Sequence, residues 1–385
     1  MKFTKFAPLL LALFALPARE QIGKSVNLPA GSPEDKAITA IVTANDPAQK
    51  ITLLDQFMKD YGAKPDLALL AETLYANAYL QAKDYQQAIE HGEKVLAADP
   101  NNFATAINLV RAAAGKPDAA KAFDFADQAV AIVARYKTAP PPAGSSPQSW
   151  AAQQSDTLKS AQEDIASIQY DLFTVTSQVA DGAQRASQFE RFLKSYPDST
   201  YAPNAREGAA FAYQQGQDFP KMLEAAQQVL AKDPANVSML LLLADYYSGE
   251  GKQLDEAAAD AQKALDTLGN AAKPAQISQA DWDKQVALQK GIAYSALGQI
   301  EVIKTRNAAA VEAFKRANPL LESNTYYYAR NLYRLGFTLA KMQQTADARG
   351  YLEQAIKIDS PFRALAQQTL AKLNGAAPKT TRRHN

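Results

Sequence analysis

The sequence contains no cysteine. That single absence removes disulfides, thiolate zinc sites, iron–sulfur ligation and cysteine nucleophiles together. It also removes the residue that a bacterial lipoprotein acylates. Histidine is almost missing, with only His91 and His384, so imidazole-based metal sites and acid–base pairs have little material. An excess of one charge is lacking too. The chain carries 41 basic and 40 acidic residues, and no bulk field draws nucleic acid or an anionic membrane surface. No segment sustains the period-two alternation of a half-buried strand, which predicts a sheet content near zero. The patterns H-E-x-x-H, G-x-S-x-G and G-x-G-x-x-G and the calcium loop are absent. No catalytic constellation, metal site or cofactor is expected, and the chain reads as a non-enzyme.

What is present begins with an export signature. Lys2 and Lys5 precede an apolar run over residues 7–16, and Ala15-Leu16-Pro17-Ala18 offers a small-residue cleavage site. Residues 1–18 are therefore expected to be a signal peptide, giving a periplasmic or secreted protein. The run is too short for a permanent membrane anchor, so no integral membrane segment is expected after cleavage. Residues 19–32 read as a polar linker. They contain Gly23-Lys24-Ser25, the end of a phosphate-binding loop. The loop's first glycine is Ala18 here and no strand precedes it, so the match is assigned to chance. His91 lies mid-helix between Glu90 and Glu93 without a second imidazole nearby, and reads as a surface histidine.

The stretch over residues 69–102, LLAETLYANAYLQAKDYQQAIEHGEKVLAADPNN, sets the plan for the rest. It reads as two helices, a tight turn and a proline stop. Ala76 and Ala88 mark close helix approaches, because helices cross closely only where side chains are small. Tyr79, Tyr85 and Leu96 fill the space between. Asp99-Pro100 ends the second helix, since proline disfavours a helical conformation in the residue before it. Similar units follow at residues 103–136, 201–234, 237–270 and 323–360. Residues 33–44 and 47–61 form a more divergent pair, each helix opening on proline. Residues 282–321 hold two halves set further apart, which predicts a lengthened pair.

These segments resemble the tetratricopeptide repeat. Its pattern runs over about 34 residues as W-x2-L-G-x2-Y, then A-x3-F, then P. In the unit at residues 69–102, Tyr75-Ala76 stand at the Leu-Gly positions and Tyr79 at the tyrosine. Ala88 begins the second half, Gly92 replaces its aromatic, and Pro100 closes it. The resemblance implies an all-α, right-handed superhelical solenoid of antiparallel helix pairs, about eight in number, with a cap helix because an array needs a solvating end. The expected organisation is an N-terminal group of pairs at residues 33–136, a Pro-rich loop at 137–149, and a C-terminal group at 150–360. A capping helix at 361–374 and a basic tail at 375–385 follow. FLKSYPDSTYAP, beginning at Phe192, is similar to segments of periplasmic tetratricopeptide proteins of envelope assembly and of the Tol–Pal system.

The resemblance also implies a function. Members of this family hold a peptide or protein in an inner groove lined by the first helix of each pair. The resemblance predicts such an interaction scaffold, without a nucleic-acid partner; oligomeric state is left open. Partner-binding candidates are Asn77, Asn108, Arg111, Phe211, Arg330, Tyr333 and Arg334. Helical phase puts Ile107, Leu241, Asp245, Ser248 and Phe337 on the same face. Asn77 and Asn108 match two asparagines of a subfamily that clamps a peptide's terminal carboxylate, but Thr73 stands where that clamp has lysine. The densest cluster is SNTYYYARNLYR, residues 323–334, mixing tyrosine and guanidinium groups of the kind enriched at binding hot spots. The bland reading of that cluster packs half the tyrosines between helices and leaves the arginines solvated. A carbohydrate- or small-ligand-binding solenoid is the alternative function.

Overall fold

The computed structural model describes residues 22–375. The expected signal peptide and all but the first residue of the basic tail lie outside them. Among the described residues there are 17 helices and no strand. Two compact units divide the chain at Gly216 and Gln217.

The first unit holds α1 (Pro33–Thr43), α2 (Pro47–Tyr61), α3 (Pro65–Gln81), α4 (Tyr85–Ala98), α5 (Phe103–Gly115), α6 (Ala119–Lys137), α7 (Pro147–Ser177), α8 (Gly182–Ser195) and α9 (Ala202–Gln215). The second holds α10 (Phe219–Lys232), α11 (Val237–Glu250), α12 (Leu254–Asn270), α13 (Gln279–Ile303), α14 (Asn307–Leu321), α15 (Thr325–Lys341), α16 (Thr345–Lys357) and α17 (Arg363–Gly375). The lengthened pair appears as α13, which runs for 25 residues.

The helix starts follow from side-chain capping. Asp46, Asp84, Asn102, Asp181, Asn236 and Asn324 each accept from a backbone N–H two or three residues on, which satisfies a donor that the first helical turn leaves open. The turns inside the pairs also repeat. Lys83, Gly251, Thr305 and Gln343 are left-handed, with φ of 60°, 69°, 59° and 62°. The next residue's N–H then bonds a carbonyl five positions back: Asp84 to Tyr79, Lys252 to Tyr247, Arg306 to Glu301 and Gln344 to Leu339. This is the Schellman closure of a helix C-terminus. Only Gly251 of the four has the residue type that adopts this conformation without strain.

The pairs after α1–α2 bury alanines at their crossings and large side chains between them. Phe57, Leu54, Phe123, Phe192 and Phe314 are sealed from water, each worth about 1.5–3 kcal/mol of burial. Gly92 explains a departure from the repeat pattern. A Cβ there would lie 2.6 Å from Leu109 Cδ2, so Leu109 of α5 occupies the space the family's aromatic would fill.

Two expectations change. The division between units falls inside the segment read as one repeat at residues 201–234, and not at the proline-rich loop. That loop is spanned by packing: Trp150 of α7 is buried, its ring edge-on to Tyr136 at 5.5 Å, and Gln154 Nε2 donates to the Tyr136 carbonyl at 2.8 Å. The described part of the expected linker is not free either. Ile22 is buried and its carbonyl accepts from Phe103 N–H at 3.1 Å. Lys24 N–H donates to Asp99 Oδ2 at 2.7 Å and Lys24 Nζ to the Ala98 carbonyl at 3.1 Å. Gly23 has φ +133°, and a Cβ would meet Asp99 Oδ2 at 2.8 Å. The Gly-Lys pair that resembled a phosphate loop is thus part of a strap clipped to the α4–α5 turn, and Val26 and Leu28 continue it onto the core of α1, α2 and α3.

Candidate functional site

In the first unit, the predicted site residues meet one another. Asn108 Nδ2 donates to Asn77 Oδ1 at 2.9 Å, Arg111 Nη1 to Asn108 Oδ1 at 3.1 Å, and Arg111 Nη2 to Ser167 Oγ at 3.1 Å. The result is a polar ladder across α3, α5 and α7. Burial pushes the nearby Asp171 carboxyl up, with the Arg111 charge opposing. Ser167 and Asp171 escaped the sequence reading because α7 does not fit the repeat register. Phe211 is exposed on α9 and joins no part of this ladder.

Ile107, Leu241 and Ser248 are buried and do not belong to an accessible face. A helix inside an array is flanked on both sides, so its open stripe is narrower than helical phase alone suggests. His91 is also corrected. Its ring stacks on Tyr75 at 4.7 Å and Tyr79 at 5.3 Å, and Nδ1 lies 2.5 Å from Glu72 Oε2.

The second unit gathers the denser cluster. Asp245 of α11 faces Arg330 of α15: Arg330 Nη1 donates to Oδ2 at 2.9 Å and Nη2 to Oδ1 at 2.5 Å. Both side chains are nearly sealed, at 11% and 9% exposure. The guanidinium also lies over the rings of Tyr327 at 4.9 Å and Tyr326 at 5.6 Å. Burial pushes the Asp245 carboxyl up, but the charge and hydrogen bonds of Arg330, with the charge of Arg334, outweigh it and hold the group below its ordinary value. Burial first, and Arg330 second, push Arg334 down to about 9. It remains a cation at neutral pH. The expectation of solvated arginines is overturned for Arg330, which packing against Tyr326, Tyr327 and Asp245 removes from bulk water, while Arg334 is half-buried.

The tyrosines divide. Tyr327 is largely enclosed, and burial followed by the Asp245 charge pushes its phenol up to about 12. Tyr328 packs into the core between α15, α16 and α17. Tyr333 stacks on Phe362 at 6.3 Å and lies 6.0 Å from Phe337, so it belongs partly to the junction with the terminal helix. Tyr326 and Phe337 remain exposed, at 48% and 38%. Asn331, in the same stretch, is interior and donates to the Phe314 carbonyl at 3.0 Å. The open face of α15 is thus an aromatic edge, Tyr326 to Phe337, around two guanidiniums.

The tetratricopeptide repeat family model matches residues 73–102 and 329–362. Those two stretches are similar to the tetratricopeptide repeat. No curated protein sequence matches it. Among solved structures, NprR in complex with its cognate peptide NprX is similar over 80% of this chain and 83% of that one, at 15% identity and a TM-score of 0.38. A tetratricopeptide repeat protein from Parabacteroides merdae is similar over 80% and 98%, at 15% identity and 0.31. Yeast Tom70 is similar over 89% and 87%, at 13% identity and 0.33. Likeness at this level says nothing about function. The second repeat match covers Arg330, Tyr333 and Arg334, so the cluster sits on a recognisable repeat helix.

Proposed function

We propose that the chain is a non-enzymatic interaction scaffold that holds a peptide or protein segment against the first helices of its pairs, chiefly α15. The observation that carries the reading is the exposed pair Tyr326 and Phe337, bracketing Arg330 and Arg334 on a tetratricopeptide helix. Aromatic and guanidinium groups supply most of the binding energy at protein interfaces. The export signature, with FLKSYPDSTYAP, supports a finer version in which the protein works in the cell envelope, in its assembly or organisation.

Cross-linking and mass spectrometry of the tagged protein in its native host tests the reading. The double variant Tyr326→Ala/Phe337→Ala is expected to lose the cross-linked partner while keeping its helical spectrum. Full recovery of the partner by that variant would remove α15 as the binding face. Fractionation with N-terminal sequencing tests the envelope placement: an uncleaved, cytoplasmic chain would overturn it.

A further inference from the structure

The strap, the α4–α5 turn, the end of α6 and the proline-rich loop enclose an open cleft of about 520 Å³ in the first unit. None of its lining residues belongs to the polar ladder. Ile22, Ile132, Ala139, Pro142 and Trp150 supply apolar walls. Ile22, Ile132 and Trp150 are themselves buried, so the core holds these walls in place before anything binds. Two cations stand at the cleft, Lys24 of the strap and Arg135 of α6, and both are exposed. Lys24 Nζ donates to the Ala98 carbonyl at 3.1 Å. Arg135 Nε donates to Asn101 Oδ1 at 3.0 Å and Nη2 to the Pro100 carbonyl at 2.9 Å. Those acceptors are neutral, and neither cation makes an ion pair among the described residues. The bonds thus hold both charges against one short turn, residues 98–101, without neutralising them. The acid in the lining, Asp99, is buried with both oxygens engaged: Oδ2 accepts from Lys24 N–H at 2.7 Å and Oδ1 from Asn101 N–H at 3.2 Å. Two cations against one carboxylate leave the cleft with one surplus positive charge.

We propose that this cleft binds a small amphipathic monoanion, an apolar body ending in one acidic group. Apolar walls with a few fixed polar groups are the make-up of small-molecule sites, and the volume falls in their range. The apolar body gains by leaving water for the walls. The acidic head meets Arg135 Nη1, which has no acceptor among the described residues, and the remaining hydrogens of Lys24 Nζ. Its single charge cancels the surplus. A bare inorganic anion would leave the walls wet, a neutral amphipath would leave the charge unanswered, and a cationic one would meet like charge. The site is separate from the face of α15, and it stands or falls independently of peptide holding.

Trp150 in the wall is a built-in reporter, read in the full chain carrying Trp282→Phe. The probes are decanoate and phenylbutyrate, which put the same acidic head on a flexible and on a ring-bearing body. Either is expected to change Trp150 emission saturably. Binding should also slow hydrogen exchange at the Phe103 amide, which bonds the Ile22 carbonyl, because a ligand seated against the strap must leave before the strap opens. Decanol and decylamine are expected to bind roughly tenfold or more weakly than decanoate, and decanoate to lose as much on Lys24→Gln/Arg135→Gln, as the loss of a charged hydrogen bond predicts. Ala139→Phe puts a ring into the cleft, leaves both cations in place and is expected to abolish the response. Where the double variant loses its fold, the comparison of decanoate with decylamine on the chain with Lys24 and Arg135 intact decides the charge preference. Equal affinity for decanoate, decanol and decylamine overturns the anion assignment. Emission and exchange unmoved by both acids up to about 1 mM, the weak limit of specific binding, overturn the site itself.

Discussion

Asp245 and Arg330 are 85 positions apart and meet in a two-pronged ion pair that ties α11 to α15. The pair is nearly sealed from water, so removing one member leaves an uncompensated interior charge. Asp245→Ala is expected to destabilise the second unit by about 3–5 kcal/mol. Replacing both members with apolar residues, Asp245→Leu/Arg330→Met, should cost much less. The chain has two tryptophans, Trp150 and Trp282, which lie in different units. In a Trp150→Phe background, Trp282 fluorescence during urea unfolding follows the second unit. A double variant as unstable as Asp245→Ala would refute this account.

The same pair fixes an acid dependence. The folded Asp245 carboxyl lies below its ordinary value of 3.8. The folded state therefore holds its proton less readily than the unfolded state. The stabilisation is fully present above about pH 4 and is lost as pH falls further. The stability gap between the wild type and Asp245→Asn should narrow across that range. A gap that stays constant down to pH 3 would show that Asp245 is not held ionised by Arg330.

Gly92 carries a packing prediction opposed to helix propensity. Alanine favours a helix interior over glycine by about 1 kcal/mol. Here the new Cβ would press on Leu109 Cδ2 and Cγ at 2.6 and 2.9 Å. Gly92→Ala is expected to destabilise the first unit by about 1–3 kcal/mol, read by Trp150 fluorescence in a Trp282→Phe background. Adding Leu109→Val should recover part of the loss. A stabilised Gly92→Ala would mean that α5 yields without cost.

At Lys83 the sign reverses. This exposed residue is left-handed at φ 60°, a conformation that costs a side-chain-bearing residue about 1–2 kcal/mol. Lys83→Gly gives up some chain entropy and relieves that strain, for a net gain of a few tenths to about 1 kcal/mol. Thermal melting with Gln343→Gly as a parallel case checks it, and a loss at both sites would contradict the turn geometry.

The helix pairs were legible because their determinants are local. Proline in the first turn, Asp or Asn at the cap and alanine at the crossings are all visible in sequence. Asn77 and Asn108 were also legible: they lie 31 positions apart, close to one repeat, so equal phase places them side by side. Asp245 and Arg330 were named for the same face, but their contact was hidden. The long α13 lies between them and breaks the register that would have matched them. His91 was misjudged for a different reason. Its surroundings come from Tyr75 and Tyr79 of the preceding helix, and a charged local sequence gives no hint of aromatics arriving from elsewhere.

The strap formed by Ile22, Gly23 and Lys24 changes how the N-terminal edge of the first unit comes apart. In a linear array each pair leans only on its neighbours, and an end pair frays alone. Here the segment leading into α1 is hydrogen-bonded to Asp99, at the end of the second pair, and to Phe103, at the start of the third. Opening the first pair therefore requires the strap to let go of the third. The end of the array is closed into a loop, and its first three pairs are bound to exchange their amide hydrogens as one cooperative block.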